Sequence, residues 1–165
     1  MTHTLAVIAL NKPGVLARIA GLLNRRVFNI ESIAAGYTEE PDVSRITLVV
    51  NGDERELEQV IHQLSKLVDV LKITKLKDGD SIERELALIK IKARPESRRD
   101  ILDIVEIFRA SIVDVGQDTM VIQVIGNGQK INAFTQVIEH QGIVEMVRTG
   151  KIALSRQPSA AKDEK

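Results

Sequence analysis

The chain has no cysteine and no tryptophan, and aromatic residues fill only 2% of its 165 positions. Without cysteine there is no disulfide framework, no thiolate metal site and no thiol nucleophile. The few aromatics (Phe28, Tyr37, Phe108, Phe134) leave out the stacking platforms on which single-stranded nucleic acid is usually held. Net charge is also missing: 23 basic residues balance 23 acidic ones. With no basic block, there is no electrostatic footprint for nucleic acid or an anionic membrane. No apolar run approaches membrane-spanning length, and Met1 leads straight into a strand-like pattern with no signal peptide, so a cytoplasmic location is expected. What is present is ordinary for a soluble globular chain, 44% apolar and 28% charged. That is enough for one domain or two small ones with aliphatic cores.

Periodicity supplies the organisation. The apolar run Leu5 to Leu10 reads as a buried strand. Val15, Leu16, Ile19, Leu22 and Leu23 then recur at helical spacing, fading near Arg25. Asn29 to Tyr37 is rich in β-branched residues and reads as a second strand, and Val43 to Val50 alternates as a third. Asp53 with Glu56 is a capping-box pattern opening a helix whose stripe is Leu57, Val60, Ile61, Leu64, Leu67 and Val68. Val70 to Leu76 is a fourth strand. The order βαββαβ predicts a ferredoxin-like, four-stranded antiparallel sheet with both helices on one face, an α+β fold.

The pattern then repeats. Glu85 to Lys92 is a strand, and Ser97 to Phe108 a helix with Ile101, Leu102, Ile104, Val105 and Phe108 inward. Ile112–Val115 and Thr119–Ile125 are strands, Ile131, Phe134, Val137 and Ile138 mark a helix, and Ile143–Val147 is a strand. Lys151–Leu154 offers an added strand. Aligning the halves sets Pro13 against Pro95, Ile19 against Ile101 and Ile30 against Ile112, an internal duplication. The expected domains are residues 1–78 and 83–156, with a disordered polar tail at 157–165.

The segment Asn11-Lys12-Pro13-Gly14-Val15-Leu16 carries the strongest functional signal. It joins a strand to a helix, with Asn11 as expected N-cap, Pro13 in the first turn and Gly14 admitting a ligand close to the backbone. Free N–H groups and the positive end of the helix dipole converge there, which favours a carboxylate or phosphate. A tight turn and nothing more explains the same residues. In the second copy Asn11 becomes Ala93, Gly14 becomes Glu96 and Asn29 becomes Ser111, so a ligand site is expected in the first half only. Asn29 begins the second strand, read here as lying at the same end of the sheet as the turn. Its amide serves either a ligand, directly or across a two-fold axis, or a helix end.

Catalytic machinery is not evident. His3, His62 and His140 lack metal-pair spacing, and Gly126-Asn127-Gly128-Gln129-Lys130 lacks the length and ending of a P-loop. Ser32, Ser44 and Ser111 have no His or Lys that spacing brings beside them.

Taken together, Asn11, Pro13-Gly14-Val15-Leu16, Arg18-Ile19 and Arg26-Val27-Phe28-Asn29-Ile30-Glu31-Ser32-Ile33 resemble an ACT domain. More narrowly, the chain is similar to the small regulatory subunit of acetolactate synthase (acetohydroxyacid synthase). Leu67-Val68-Asp69-Val70-Leu71, Glu83 to Ile91 and Ile107-Phe108-Arg109-Ala110 fit that family in the expected order, from Met1 to about Arg156. The resemblance implies a non-catalytic protein that dimerises through edge-to-edge ACT domains. It implies activation of a separate catalytic (large) subunit and feedback inhibition by valine in branched-chain amino acid biosynthesis. Valine would be held by the amides of Gly14, Val15 and Leu16 and by Asn11 of one chain, with Asn29 and Ile30 from its partner. No cofactor or metal is expected in this chain; thiamine diphosphate, Mg and FAD would belong to the catalytic subunit. Lys12 and Pro13 occupy positions that vary among relatives, which bears on effector affinity and on the choice among valine, leucine and isoleucine. A free-standing tandem-ACT amino-acid sensor with another client is the alternative.

Overall fold

The computed structural model describes residues 1–25, 29–77 and 79–156. The tail at 157–165 and the motif residues Arg26, Val27 and Phe28 lie outside the described residues. The first six elements are β1 (Thr2–Leu10), α1 (Val15–Arg25), β2 (Asn29–Tyr37), β3 (Val43–Asn51), α2 (Glu54–Leu64) and β4 (Val70–Leu76). Their strands make an antiparallel sheet in the order β2-β3-β1-β4.

The two-residue period of a strand sends alternate side chains to one face, and here that face is sealed by both helices. Leu5, Val7 and Ala9 of β1 and Ile46, Leu48 and Val50 of β3 form one cluster with Val15, Ile19, Leu22 and Leu23 of α1 and Leu57, Val60 and Leu64 of α2. The helix α2 begins where the capping box places it. Asp53 Oδ1 accepts from the Glu56 N–H and Glu56 Oε2 accepts from the Asp53 N–H, each at 2.8 Å. The helix stops at Leu64, so the stripe does not run on: Leu67 packs on the core from the connection, while Val68 is 93% exposed.

The second half contains β5 (Ser81–Lys92), α3 (Arg98–Ile107), β6 (Ser111–Val115), β7 (Thr119–Gly126), α4 (Gly128–Ile138) and β8 (Ile143–Arg148), with the strand order β6-β7-β5-β8. The duplication extends to irregularities. Glu31 on β2 and Val113 on β6 are bulged at matching places, as are Leu71 on β4 and Val144 on β8. A bulge shifts the two-residue phase of a strand, so both copies retain the same correction. The second core is Ala87, Ile89 and Ile91 with Met120, Ile122 and Val124, covered by Ile101 and Val105 of α3 and Ile131, Phe134 and Ile138 of α4. Leu102 and Val137, expected inward, are exposed because they sit at the margins of their helical stripes.

Compactness divides the chain into Met1–Ile82 with the segment from Lys151 on, and Glu83–Gly150. The added strand expected at Lys151–Leu154 is the short β9 (Ile152–Ser155), which pairs with β5 and is grouped by compactness with the first unit. Ala153 clusters with Ala6 and Leu76 on the face opposite the helices, and its carbonyl accepts from Arg45 Nη2 at 2.9 Å. In the second unit Phe134 is fully buried, edge-on to Phe108 at 5.3 Å between ring centroids. Truncating Phe134→Ala removes that ring and its contact with Phe108 from the core and is expected to cost about 3–5 kcal/mol, read as a lowered denaturant midpoint.

Candidate functional site

The strand-to-helix turn is closed by a β-turn over Lys12–Val15, in which the Val15 N–H donates to the Lys12 carbonyl at 3.3 Å. Pro13 presets the second position of that turn, and Gly14 takes the third with φ +82°, the type II pattern. Pro13 therefore precedes the helix instead of occupying its first turn. Asn11 is not the N-cap either. The first helical bond runs from the Arg18 N–H to the Gly14 carbonyl at 2.9 Å, so Gly14 holds the cap position. Asn11 is exposed, and its N–H donates to the Asp42 carbonyl at 2.7 Å.

Val15 is buried and belongs to the core, whereas Leu16 is half exposed. Among the described residues, no acceptor takes the N–H of Leu16 or Ala17. Two unpaired donors at the positive end of a helix, beside a glycine, form a surface complementary to a carboxylate. Charge around the turn adds to this. The Arg18 guanidinium is hydrogen-bonded to Asp69, and Lys12 Nζ stands 3.7 Å from the same carboxylate. Two cations against one anion leave the rim positive.

Asn29 corrects an expectation. It pairs with Asn51, which pairs with Thr2, at the end of the sheet opposite Leu10 and Val43. The reason is topological: α1 carries the chain back, so β2 starts beside the start of β1, while Asn11 follows the end of β1. Within one chain the turn and Asn29 are therefore separated by the length of the strands. Asn29 is exposed and Ile30 rests half-buried against the helix-side core.

The matching turn of the second unit is built differently. Lys92 donates to Gly142 at 2.9 Å where Leu10 donates to Asp69 at 2.8 Å, so Gly142 stands in the place of the acid. Arg98, near the start of α3, donates instead to the carbonyls of Ala93, Gly116 and Gln117. The guanidinium is thus spent on the turn's own carbonyls, beside a cavity of about 510 Å³ lined by Lys92, Arg94, Glu96, Ser97 and Gln141. A groove of about 550 Å³ lies on the helix-free side of the first sheet, lined in part by Tyr37, Thr38, Arg45 and Lys72. None of Asn11, Gly14, Val15, Leu16, Asn29 or Ile30 lines it. Burial holds the Arg45 guanidinium below its usual pKa there, with Glu39 acting in the opposite direction. Among the described residues no group of His, Asp and Glu is placed to hold a metal ion, and no helix is long and apolar enough to cross a membrane.

Comparison with known proteins decides the family. Residues 5–72 match the AHAS small subunit-like ACT domain, and residues 84–157 match the small subunit of acetolactate synthase. The chain belongs to the acetolactate synthase small-subunit family. It is 51% identical to the probable acetolactate synthase small subunit of Archaeoglobus fulgidus, over 94% of this chain and 98% of that one. It is 46% identical to the acetolactate synthase small subunit of Mycobacterium bovis, over 95% of this chain and 94% of that one. The crystal structure of the Thermotoga maritima acetolactate synthase small subunit superposes with a TM-score of 0.89 at 38% identity, covering 96% of this chain and 99% of that one. Membership assigns the chain to the small subunit, the regulatory ACT-domain component, and not to the catalytic one. In this family context two residues stand out that the sequence alone did not mark, Arg18 and Asp69. Arg18 lay inside the turn motif but drew no role, and Asp69 is distant in sequence and reaches the turn only through the fold.

A Cβ at position 14 would meet only Arg18 Nη1, at 3.5 Å, an ordinary contact. The need for glycine is thus conformational. Gly14→Ala is expected to destabilise the first unit by about 1–2 kcal/mol, measured by chemical denaturation, with secondary structure retained.

Proposed function

We propose that this chain activates the catalytic subunit of acetolactate synthase and makes it sensitive to valine, which binds at a seam between two copies of the chain. The observation that carries the reading is the edge strand β2 together with its direction. The strand β2 is nine residues long and sits at the sheet edge, an exposed ladder that folded proteins ordinarily cover. It runs from Asn29 toward Tyr37, whose neighbour Ser44 lies at the turn end of the sheet. A two-fold axis pairing β2 with its copy must set the strands antiparallel. That brings the partner's Asn29 to the end that carries Gly14. Separation of Asn11 from Asn29 within one chain is then compatible with a joint role in one site between two chains.

In this arrangement the amides of Gly14 and Leu16 receive the valine carboxylate, Val15 holds the turn in shape with its N–H on the Lys12 carbonyl, and Asn11 fixes polar atoms beside it. The partner's Asn29 and the partner's Ile30 close the site, and the aliphatic surroundings suit a branched apolar side chain. Effector binding biases the paired ACT domains toward one arrangement, and the catalytic subunit prefers the other. By linkage, that subunit weakens valine binding by the same factor that valine weakens its activation. Thiamine diphosphate, Mg and FAD belong to the catalytic subunit, and the complex works in the cytoplasm.

The test is to mix the chain with its cognate catalytic subunit and follow acetolactate formation from pyruvate. The rate is expected to rise on mixing and fall again on adding valine. No change in either case, with both proteins folded, overturns the reading and leaves an amino-acid sensor with another client. Gly14→Asp places a carboxylate where the effector's carboxylate belongs. It is expected to activate like the unmodified chain while ignoring valine; inhibition at unchanged valine concentrations counts against this site.

A further inference from the structure

We infer that Asp69 is a positioning residue of the effector turn, acting through Arg18 and Lys12; its functional consequence rests on the valine reading above. Asp69 reaches the turn at three points. Its main-chain carbonyl accepts from the Leu10 N–H at 2.8 Å, fixing the last residue of β1. Its carboxylate bonds the guanidinium of Arg18, in the first turn of α1, and faces Lys12 Nζ at 3.7 Å. Lys12 in turn supplies the carbonyl that closes the turn onto Val15. The strand end, the turn and the helix start are therefore tied to one residue that comes from the connection between α2 and β4.

The Asp69 side chain is only 16% exposed, against 51% for Arg18 and 61% for Lys12. The acid is the fixed member and the two cations fold onto it. Arg18 Nη1 lies within van der Waals reach of the Gly14 Cα substituent position, at 3.5 Å. The guanidinium thus runs alongside the turn with its charge committed to Asp69. The first-turn amides stay open to a carboxylate, while the excess positive charge of the rim remains close enough to favour one. The second unit lacks this device: Gly142 replaces the acid, and the cation of Arg98 is spent on the turn's own carbonyls.

Asp69→Asn preserves size and the main-chain bond to Leu10 but removes the charge that holds Arg18 and Lys12. With the full-length chain and its catalytic subunit, the valine concentration for half-inhibition is expected to rise about fivefold, with valine-free activation unchanged. Arg18→Met should do the same, Asp69→Glu should recover most of the sensitivity, and the double variant should be no worse than either single one. Wild-type valine response in Asp69→Asn, or effects of the two substitutions that multiply, overturns the inference. Hydrogen exchange in the ligand-free chain separates this from failure of the valine reading. Whether or not valine binds, the Val15 and Arg18 amides should exchange about fivefold faster in Asp69→Asn, relative to Leu57 and Val60 in α2. Unchanged exchange at both amides also overturns it.

Discussion

The hydrogen bond from the Val15 N–H to the Lys12 carbonyl sets the geometry on which the rest of the site depends. It forms because Pro13 fixes one dihedral and Gly14 accepts a positive φ that other residues resist. The bond ends β1, aims α1 back across the sheet, and leaves the first helical amides facing outward. The crossover it begins determines that β2 starts at the far end of the sheet. One local constraint thus produces both the anion-facing amides and the separation of Asn29 from them. In the proposed function a monomer carries half of a site at each end of its sheet, and two-fold symmetry is the simplest operation that unites the halves.

The two halves of the chain act as a comparison within one molecule. They share strand order, core-facing pattern and even the placement of bulges. They differ around the turn. In the first unit an acid, Asp69, gathers the cations on the rim and leaves amides free. In the second, the cation of Arg98 turns inward and satisfies carbonyls, and Glu96 places a negative charge where the first unit has Gly14. Scaffold and turn chemistry are separable features of this fold, and the two copies share the first while differing in the second.

Much of the architecture was legible in the sequence because alternation and helical spacing are local signals. The strands β2 and β4 fall where β-branched runs place them, and the Asp53 cap is readable from residues three apart. Errors arise where a local signal continues past a structural boundary, as at Val68 beyond the end of α2, or where the turn chemistry of Pro13 and Gly14 outcompetes a capping side chain at Asn11. The position of Asn29 depends on the direction of a crossover, and the role of Asp69 on a contact between distant segments. Neither is written in a short window of sequence. The residues of the turn were found from their chemistry, and the residues that hold the turn in shape came only from the fold.

The central claim is that each effector site is assembled from two chains. Chains carrying Gly14→Asp and chains carrying Asn29→Ala, each expected to bind no valine alone, can be unfolded together, refolded as a mixture and titrated with valine by calorimetry. A shared site predicts that mixing restores about a quarter of the wild-type binding capacity, because half of the dimers are mixed and each mixed dimer regains one intact site. A mixture that exchanges subunits and still binds no valine, while the unmodified chain binds it, would contradict the account.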